Sequence, residues 1–158
     1  MNKKTNAREY CPSAYVNENS YADSAKEEKG FHMPTVSVLT PIYNTNHVHL
    51  RACIESILNQ TYTDFELIIV NDASPEDVDA IVAGYSDERI QYYRNEKNIG
   101  GTDLVAQWNY CISYAKGEYL ILASDDDIYS LEYLEKMDTL VQRYPETNVF
   151  RCRVKRFD

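Results

Sequence analysis

Three consecutive carboxylates, Asp125, Asp126 and Asp127, follow the apolar run Tyr119-Leu-Ile-Leu-Ala123 and Ser124. Adjacent like charges repel, and a divalent cation offsets that repulsion. Oxygen donors suit Mg2+ or Mn2+, so an ion held by Asp126 and Asp125 could bridge the chain to a diphosphate and stabilise it as a leaving group. The competing reading is a solvated acidic loop that caps a helix beginning near Leu131.

A second polar cluster, Asn71-Asp72-Ala73-Ser74, follows the apolar run Glu66–Val70. Asp72 either accepts a hydrogen bond from a nucleobase N–H or closes an Asx-type turn and caps the next helix. Ser74, with Pro75 behind it and Glu76 and Asp77 in the first turn, reads as that helix's N-cap. Tyr43 and Asn44 offer aromatic and polar contacts to a base, or a plain turn. Asn98-Ile-Gly100-Gly101 is a glycine turn without the spacing of a phosphate-binding loop. His32, His47 and His49 have no partners at metal-ligand spacing and read as surface residues.

The elements that must position these clusters alternate regularly. Short apolar strands are expected at Val36–Thr40, stopping at Pro41, and at Glu66–Val70, Ile90–Arg94, Tyr119–Ala123 and Asn148–Val154. Between them fall amphipathic helices from His47 to Gln60, from Ser74 to near Gly84, from Thr102 to Lys116 with Gly117 as C-cap, and from Leu131 to Tyr144. In the third of these, Val105, Trp108, Ile112 and Ala115 are expected to face inward. Such alternation predicts an α/β sandwich with a mostly parallel sheet, and ligands then sit beyond the strand C-termini where strand order reverses. In the order 3-2-1-4 that point lies between the first and fourth strands, where Thr40–Asn44 and Ser124–Asp127 end up.

The totals narrow the classes. The chain has 158 residues, 44% hydrophobic and 26% charged, enough for one domain. Its formal net charge of −9 argues against nucleic acid as a partner. Residues 1–34 are polar with balanced charge and read as a flexible arm, leaving residues 35–158 as the domain. Cys53, Cys111 and Cys152 lie in apolar segments as buried free thiols, which with Cys11 unpaired suits a cytoplasmic setting. No apolar stretch reaches the length of a membrane span, so any association with the inner face of a membrane would be encoded elsewhere.

Taken in order, Pro41-Ile-Tyr43-Asn44, Ser56–Tyr62, Phe65–Ser74, Asn98-Ile-Gly100, Ala115–Tyr119 and Ser124–Asp127 closely resemble the N-terminal half of inverting family 2 glycosyltransferases of the GT-A fold. The resemblance implies a three-layer α/β/α sandwich that ends after the donor-binding half. It implies a nucleoside-diphosphate sugar as donor, a saccharide or lipid-linked acceptor, and a Mg2+ or Mn2+ cofactor. Pro41, Tyr43 and Asn44 match the loop that wraps the nucleoside, and Asp72 the carboxylate that meets the base. Asp126 matches the metal-binding acid of a DxD-like motif, with Asp125 beside it at the ribose or metal. Ser124 stands in place of the first acid of that motif, Asn71 in place of the first acid of an Asp-Asp pair, and Trp108-Asn109 where Arg-Asn is common. The family's general base lies further along than Asp158, so no catalytic residue is assigned. A sugar nucleotidyltransferase would need a glycine- and cation-rich loop that Thr40–Asn46 lacks, and a non-catalytic nucleotide-sugar-binding module is the other alternative.

Overall fold

The computed structural model describes residues 15–16 and 33–156. The elements run β1 (Tyr15–Val16), β2 (Val36–Ile42), α1 (His47–Leu58), β3 (Phe65–Asn71), α2 (Val78–Val82), β4 (Ile90–Arg94), α3 (Leu104–Ile112), β5 (Tyr119–Leu122) and α4 (Tyr133–Arg143). They form one sheet in the order β1-β5-β2-β3-β4. The four longer strands are parallel, and β1 lies antiparallel on the outer edge of β5 through Tyr15 opposite Leu120 and Val16 opposite Tyr119. Without β1 this is the 3-2-1-4 order expected. Tyr15 and Val16 are the only described residues of the arm before Met33, and they are paired rather than free.

Every residue of β3 is buried, as befits a strand covered on both faces. On one face Val38, Ile42, Leu67, Ile69 and Ile121 meet Leu50, Cys53, Ile54 and Ile57 of α1, Val78 and Ile81 of α2, and Leu134 and Met137 of α4. On the other, Leu39, Ile68 and Val70 meet Cys111 of α3. The result is the three-layer sandwich the sequence predicts.

Several boundaries differ from expectation, each for a physical reason. β2 runs through Pro41 to Ile42 because β5 pairs with it only from Val36 to Leu39; past that point no neighbour on the β5 side needs the N–H that proline lacks. α2 begins at Val78, capped by Asp77, whose side chain accepts from the Ala80 N–H; Ser74 is not its cap. In α3 the buried stripe is Gln107 and Cys111, while Val105 is exposed and Trp108 half-buried. Cys152 is exposed, whereas Cys53 and Cys111 are buried. Asn148–Val154 forms no strand: only Phe150 makes a bridge, packing against the larger core cluster. Cys11 and His32 lie outside the described residues.

Gly117 does not cap α3, which ends at Ile112 with Ser113 as its C-cap. Its N–H donates to Ser37 Oγ at 2.8 Å, and Ser37 in turn donates to the buried Glu66 carboxylate at 2.5 Å. Glu66 also accepts from Lys116 N–H at 2.7 Å and from the Gln91 side chain, so one buried acid ties the entry of β5 to β2, β3 and β4. A Cβ at position 117 would lie 2.6 Å from Ser37 N and 2.8 Å from the Val36 carbonyl carbon, both backbone atoms with little room to yield. Gly117→Ala is therefore expected to cost about 1–3 kcal/mol of stability. Urea denaturation checks this, and an unchanged midpoint would contradict it.

Candidate functional site

The crevice starts where β2 and β5 part. Their pairing ends at Leu39 opposite Leu122, with one further bond from the Ala123 N–H to the Leu39 carbonyl at 2.8 Å. On its other side β2 stays paired with β3 to Ile42 opposite Asn71, and the Asp72 N–H continues to the Ile42 carbonyl at 2.8 Å. The β2 loop therefore stays with the β3 loop while the β5 loop swings clear.

Asn44 carries the link between β2 and β3. It sits in the left-handed region, with φ of 53°, and its N–H donates to Ser74 Oγ at 3.0 Å. Ser74 is held in turn by its own N–H bonded to Asn71 Oδ1 at 2.8 Å, across Ala73, which is also left-handed at φ 57°. Ser74 thus serves the crevice instead of capping α2. Tyr43 and Asn44 are exposed at the loop's tip, with Pro41 half-buried behind them. Asn46 then caps α1, accepting from Val48 N–H at 2.8 Å and His49 N–H at 3.3 Å.

Asp72 is 2% exposed, and its carboxylate neither closes an Asx turn nor caps α2. Oδ1 accepts from Asn95 Nδ2 at 2.6 Å and Ile99 N–H at 2.9 Å, and Oδ2 from Gly100 N–H at 2.7 Å with a second, 3.1 Å contact from Ile99 N–H. Asn98 Nδ2 reaches the Asp72 carbonyl at 3.3 Å. The Asn98–Gly101 turn is thus folded around this carboxylate, which gives that turn a role its sequence does not show. Asn95 spends its second N–H on Gln107 Oε1 at 3.0 Å, linking the network to α3.

The acidic loop is pinned at both ends. Cys53 Sγ donates to the Ser124 carbonyl at 3.3 Å, Tyr129 N–H donates to Ser56 Oγ at 3.1 Å, and Gln60 holds Ser130 and Leu134. Asp126 and Asp127 lie exposed between these ties; Asp126 Oδ1 accepts from Ser124 Oγ at 2.6 Å. Asp125 is half-buried. Burial raises its carboxyl above the ordinary range, as does repulsion from Asp126; the hydrogen bond from Thr45 and the nearby His49 act the other way. Asp127 is raised by burial and by Asp126 and Asp125. Beneath them, burial and the same three charges push the Cys53 thiol up to about 12, so it stays protonated and unreactive. His47 and His49 are exposed, as expected.

These carboxylates are hard oxygen donors whose mutual repulsion a dication would relieve. Among the described residues no group of three or more His, Cys, Asp or Glu side chains is arranged to hold a metal by itself. The donor set therefore fits an ion that takes one or two carboxylates and completes its shell from phosphate and water. Three residues that sequence reasoning missed complete the site. Thr45 links the β2 loop to Asp125, and Asn95 and Gln107 hold Asp72. Thr40 Oγ1, near the end of β2, is buried without a hydrogen-bond partner among the described residues. Gln107 alone left a trace in the sequence: a polar residue four positions before Cys111, on the same helical face.

A sequence model of glycosyl transferase family 2 matches residues 37–158. The glycosyltransferase GlyG of Streptococcus pneumoniae is 38% identical over 109 residues, 68% of this chain and 35% of that protein. An uncharacterised glycosyltransferase of Rickettsia typhi is 32% identical over 116 residues, 73% of this chain and 35% of that protein. Among solved structures, S. aureus TarS 1–349 in complex with UDP superposes with a TM-score of 0.64 at 24% identity, over 70% of this chain and 33% of that one. The Pyrobaculum calidifontis mannosyltransferase PcManGT, in complex with GDP-Man and Mn2+, does so at 0.59 and 19% over the same shares. At those identities the likeness shows the fold alone, that of GT-A glycosyltransferases. The chain spans about a third of the length of these two sequence relatives. No helix among the described residues is long and apolar enough to cross a membrane.

Two outcomes follow from the geometry. Asp72→Asn turns an acceptor-only group into one with a donor face toward N–H groups, and should cost about 1–3 kcal/mol of stability by urea denaturation; an unaltered midpoint would contradict the anchoring role. Because Asp127 ionises less readily in the fold than in the open chain, its charge opposes folding above the raised value and has no effect below the ordinary carboxylate range. Asp127→Asn should therefore stabilise the chain at neutral pH, with the gain vanishing near about pH 3. A gain independent of pH would point to some other cause.

Proposed function

The chain belongs to glycosyltransferase family 2, and on that premise we propose that it forms the donor-binding half of a transferase that uses a nucleoside-diphosphate sugar. The observation that carries the reading is the parting of β2 and β5 after Leu39. It sets the exposed carboxylates of the β5 loop beside a β2 loop that is itself tied to Asp72's loop. One end of the crevice suits charged diphosphate and the other a flat, hydrogen-bonding base. TarS with UDP and PcManGT with GDP-Man and Mn2+ carry such ligands on a similar frame, which supports the assignment.

In this reading Pro41, Tyr43 and Asn44 wrap the nucleoside, Asp72 meets the base edge, and Asp125 meets the ribose. Asp126, with Asp125, would hold a Mg2+ or Mn2+ ion, which when bound neutralises charge developing on the departing diphosphate. Thr45 holds the Asp125 carboxylate in place, and Ser124 does the same for Asp126. An acceptor hydroxyl, on a saccharide or a lipid-linked acceptor, would attack the anomeric carbon from the face opposite the diphosphate and invert its configuration. The residue that removes the hydroxyl proton is not among those assigned. The setting is cytoplasmic glycan or polysaccharide synthesis.

Asp126→Ala tests the metal assignment. Its carboxylate is exposed and, among the described residues, bonded only to Ser124, so the fold should survive. Titration calorimetry of a nucleoside diphosphate with and without Mn2+ should then show the Mn2+-dependent gain in affinity largely gone. A folded variant that keeps the gain would overturn the assignment.

A further inference from the structure

Both backbone polar groups of Ser74 are gripped from β4 and α2 by a closed ring of hydrogen bonds. Its N–H donates to Asn71 Oδ1 at 2.8 Å, and Asn71 Nδ2 donates to the Tyr92 hydroxyl at 2.8 Å. That hydroxyl donates onward to Asp79 Oδ1. The other oxygen of Asp79 takes Arg94 Nη1 at 3.0 Å, and Arg94 Nη2 returns to the Ser74 carbonyl at 3.2 Å. Tyr92 and Arg94 stand two apart on β4, so they share one face of the sheet, the face that α2 covers.

The direction of every bond in the ring is fixed. Asn71 is fully buried, and with its oxygen committed to Ser74 only its NH2 can meet Tyr92. The phenol must then accept from Asn71 and send its single proton to Asp79, which as a carboxylate only accepts. Arg94, which only donates, closes the ring between Asp79 and Ser74. An aspartate at position 71 would compete with Asp79 for that one proton, so the asparagine found there is what the ring needs. With its N–H and carbonyl both held, Ser74 aims its hydroxyl at the N–H of Asn44, 3.0 Å away.

We infer that Tyr92, Arg94 and Asp79 are positioning residues for nucleotide binding, which through Ser74 hold the Asn44 loop in its binding shape before a ligand arrives. The inference rests on the donor reading above, in which none of the three touches the ligand. Asn44 and Ala73 sit at φ of 53° and 57°, a backbone that persists only where its surroundings hold it. A loop ordered in advance spares the ligand the cost of ordering it, so the ring acts on affinity for whatever part of the ligand the loop touches. In the donor reading that part is the nucleoside, while the diphosphate lies toward the carboxylates of the β5 loop.

Calorimetric titration with UDP, GDP, CDP and ADP, each with Mn2+, identifies the nucleotide this chain binds most tightly, and inorganic pyrophosphate with Mn2+ is the nucleoside-free control. Tyr92→Phe keeps the aromatic ring and removes only the hydroxyl. Arg94→Met keeps most of the length and removes the guanidinium; the Arg94 and Asp79 side chains are 43% and 52% exposed, so the fold should tolerate the cut. Each variant is expected to bind the chosen nucleotide about five- to tenfold more weakly, the scale of one hydrogen bond, with pyrophosphate affinity the same throughout. Because each cut opens the same ring, the double variant Y92F/R94M should lose about as much as the more affected single variant. Losses that multiply in the double variant, or nucleotide affinity left intact by either single one, would overturn the inference. So would a parallel fall in pyrophosphate affinity, which a general loosening of the fold would produce. Binding of none of the four nucleotides by the unaltered chain would overturn the donor reading itself, and the inference with it.

Discussion

The crevice exists because β2 is paired unequally with its two neighbours. Seven residues of β3 match seven of β2, while β5 matches only four, so the two loops beside β2 leave the sheet in different directions. An α/β sheet opens a cleft where its strand order reverses, since consecutive crossovers there go to opposite faces. Here α3 covers one face and α1, α2 and α4 cover the other, and the reversal falls between β2 and β5. The proline in β2 is tolerated for the same reason: past Leu39 there is no strand on the β5 side to donate to.

The crevice treats its carboxylates in two ways. Asp72 is buried without a cation, and its charge is spread over hydrogen bonds from a side-chain amide and two backbone N–H groups. Such an arrangement compensates much of the desolvation and fixes the geometry of everything bonded to it. Asp125 and Asp127 are left under-compensated, each pushed toward protonation by burial and by its neighbours. A satisfied acid shapes a wall, whereas frustrated acids beside it have most to gain from an incoming positive charge. Carboxylates perturbed by burial and by one another are characteristic of working sites.

The strands could be read from sequence because each is an apolar run bounded by Pro, Gly or polar residues, and that pattern depends on little beyond the segment itself. The helix ends could not. Ser74 has every local mark of an N-cap, yet its hydroxyl accepts from Asn44, thirty positions earlier in the chain, and Asp77 takes the cap instead. In α3 Ile112 and Ala115 pack inward as periodicity predicts, but Val105 faces solvent and a glutamine takes the most buried place on the helix. Gln107 is buried to serve Asp72, a partner far away in sequence that periodicity cannot reveal. The acidic loop stood out from composition alone, but its moorings at Thr45, Cys53 and Gln60 required the fold. Tyr15 and Val16 form too short a strand to carry a period, and Asn148–Val154 has a strand's pattern without a partner beyond Phe150.

The two left-handed residues at the rim give that region an energetic character of its own. A left-handed backbone costs a residue with a Cβ roughly 1–2 kcal/mol, and asparagine bears it better than alanine because its side chain can bond locally. Ala73 has no such relief, and what keeps it there is the bond from Ser74 N–H to Asn71 Oδ1 on one side and from Asn44 N–H to Ser74 Oγ on the other. The rim is therefore a sprung segment with two latches. Anything that competes for Asn44's N–H or Ser74's hydroxyl loosens a latch and lets the backbone relax downhill, so contact at the loop tip is coupled to the conformation of the turn carrying Asp72.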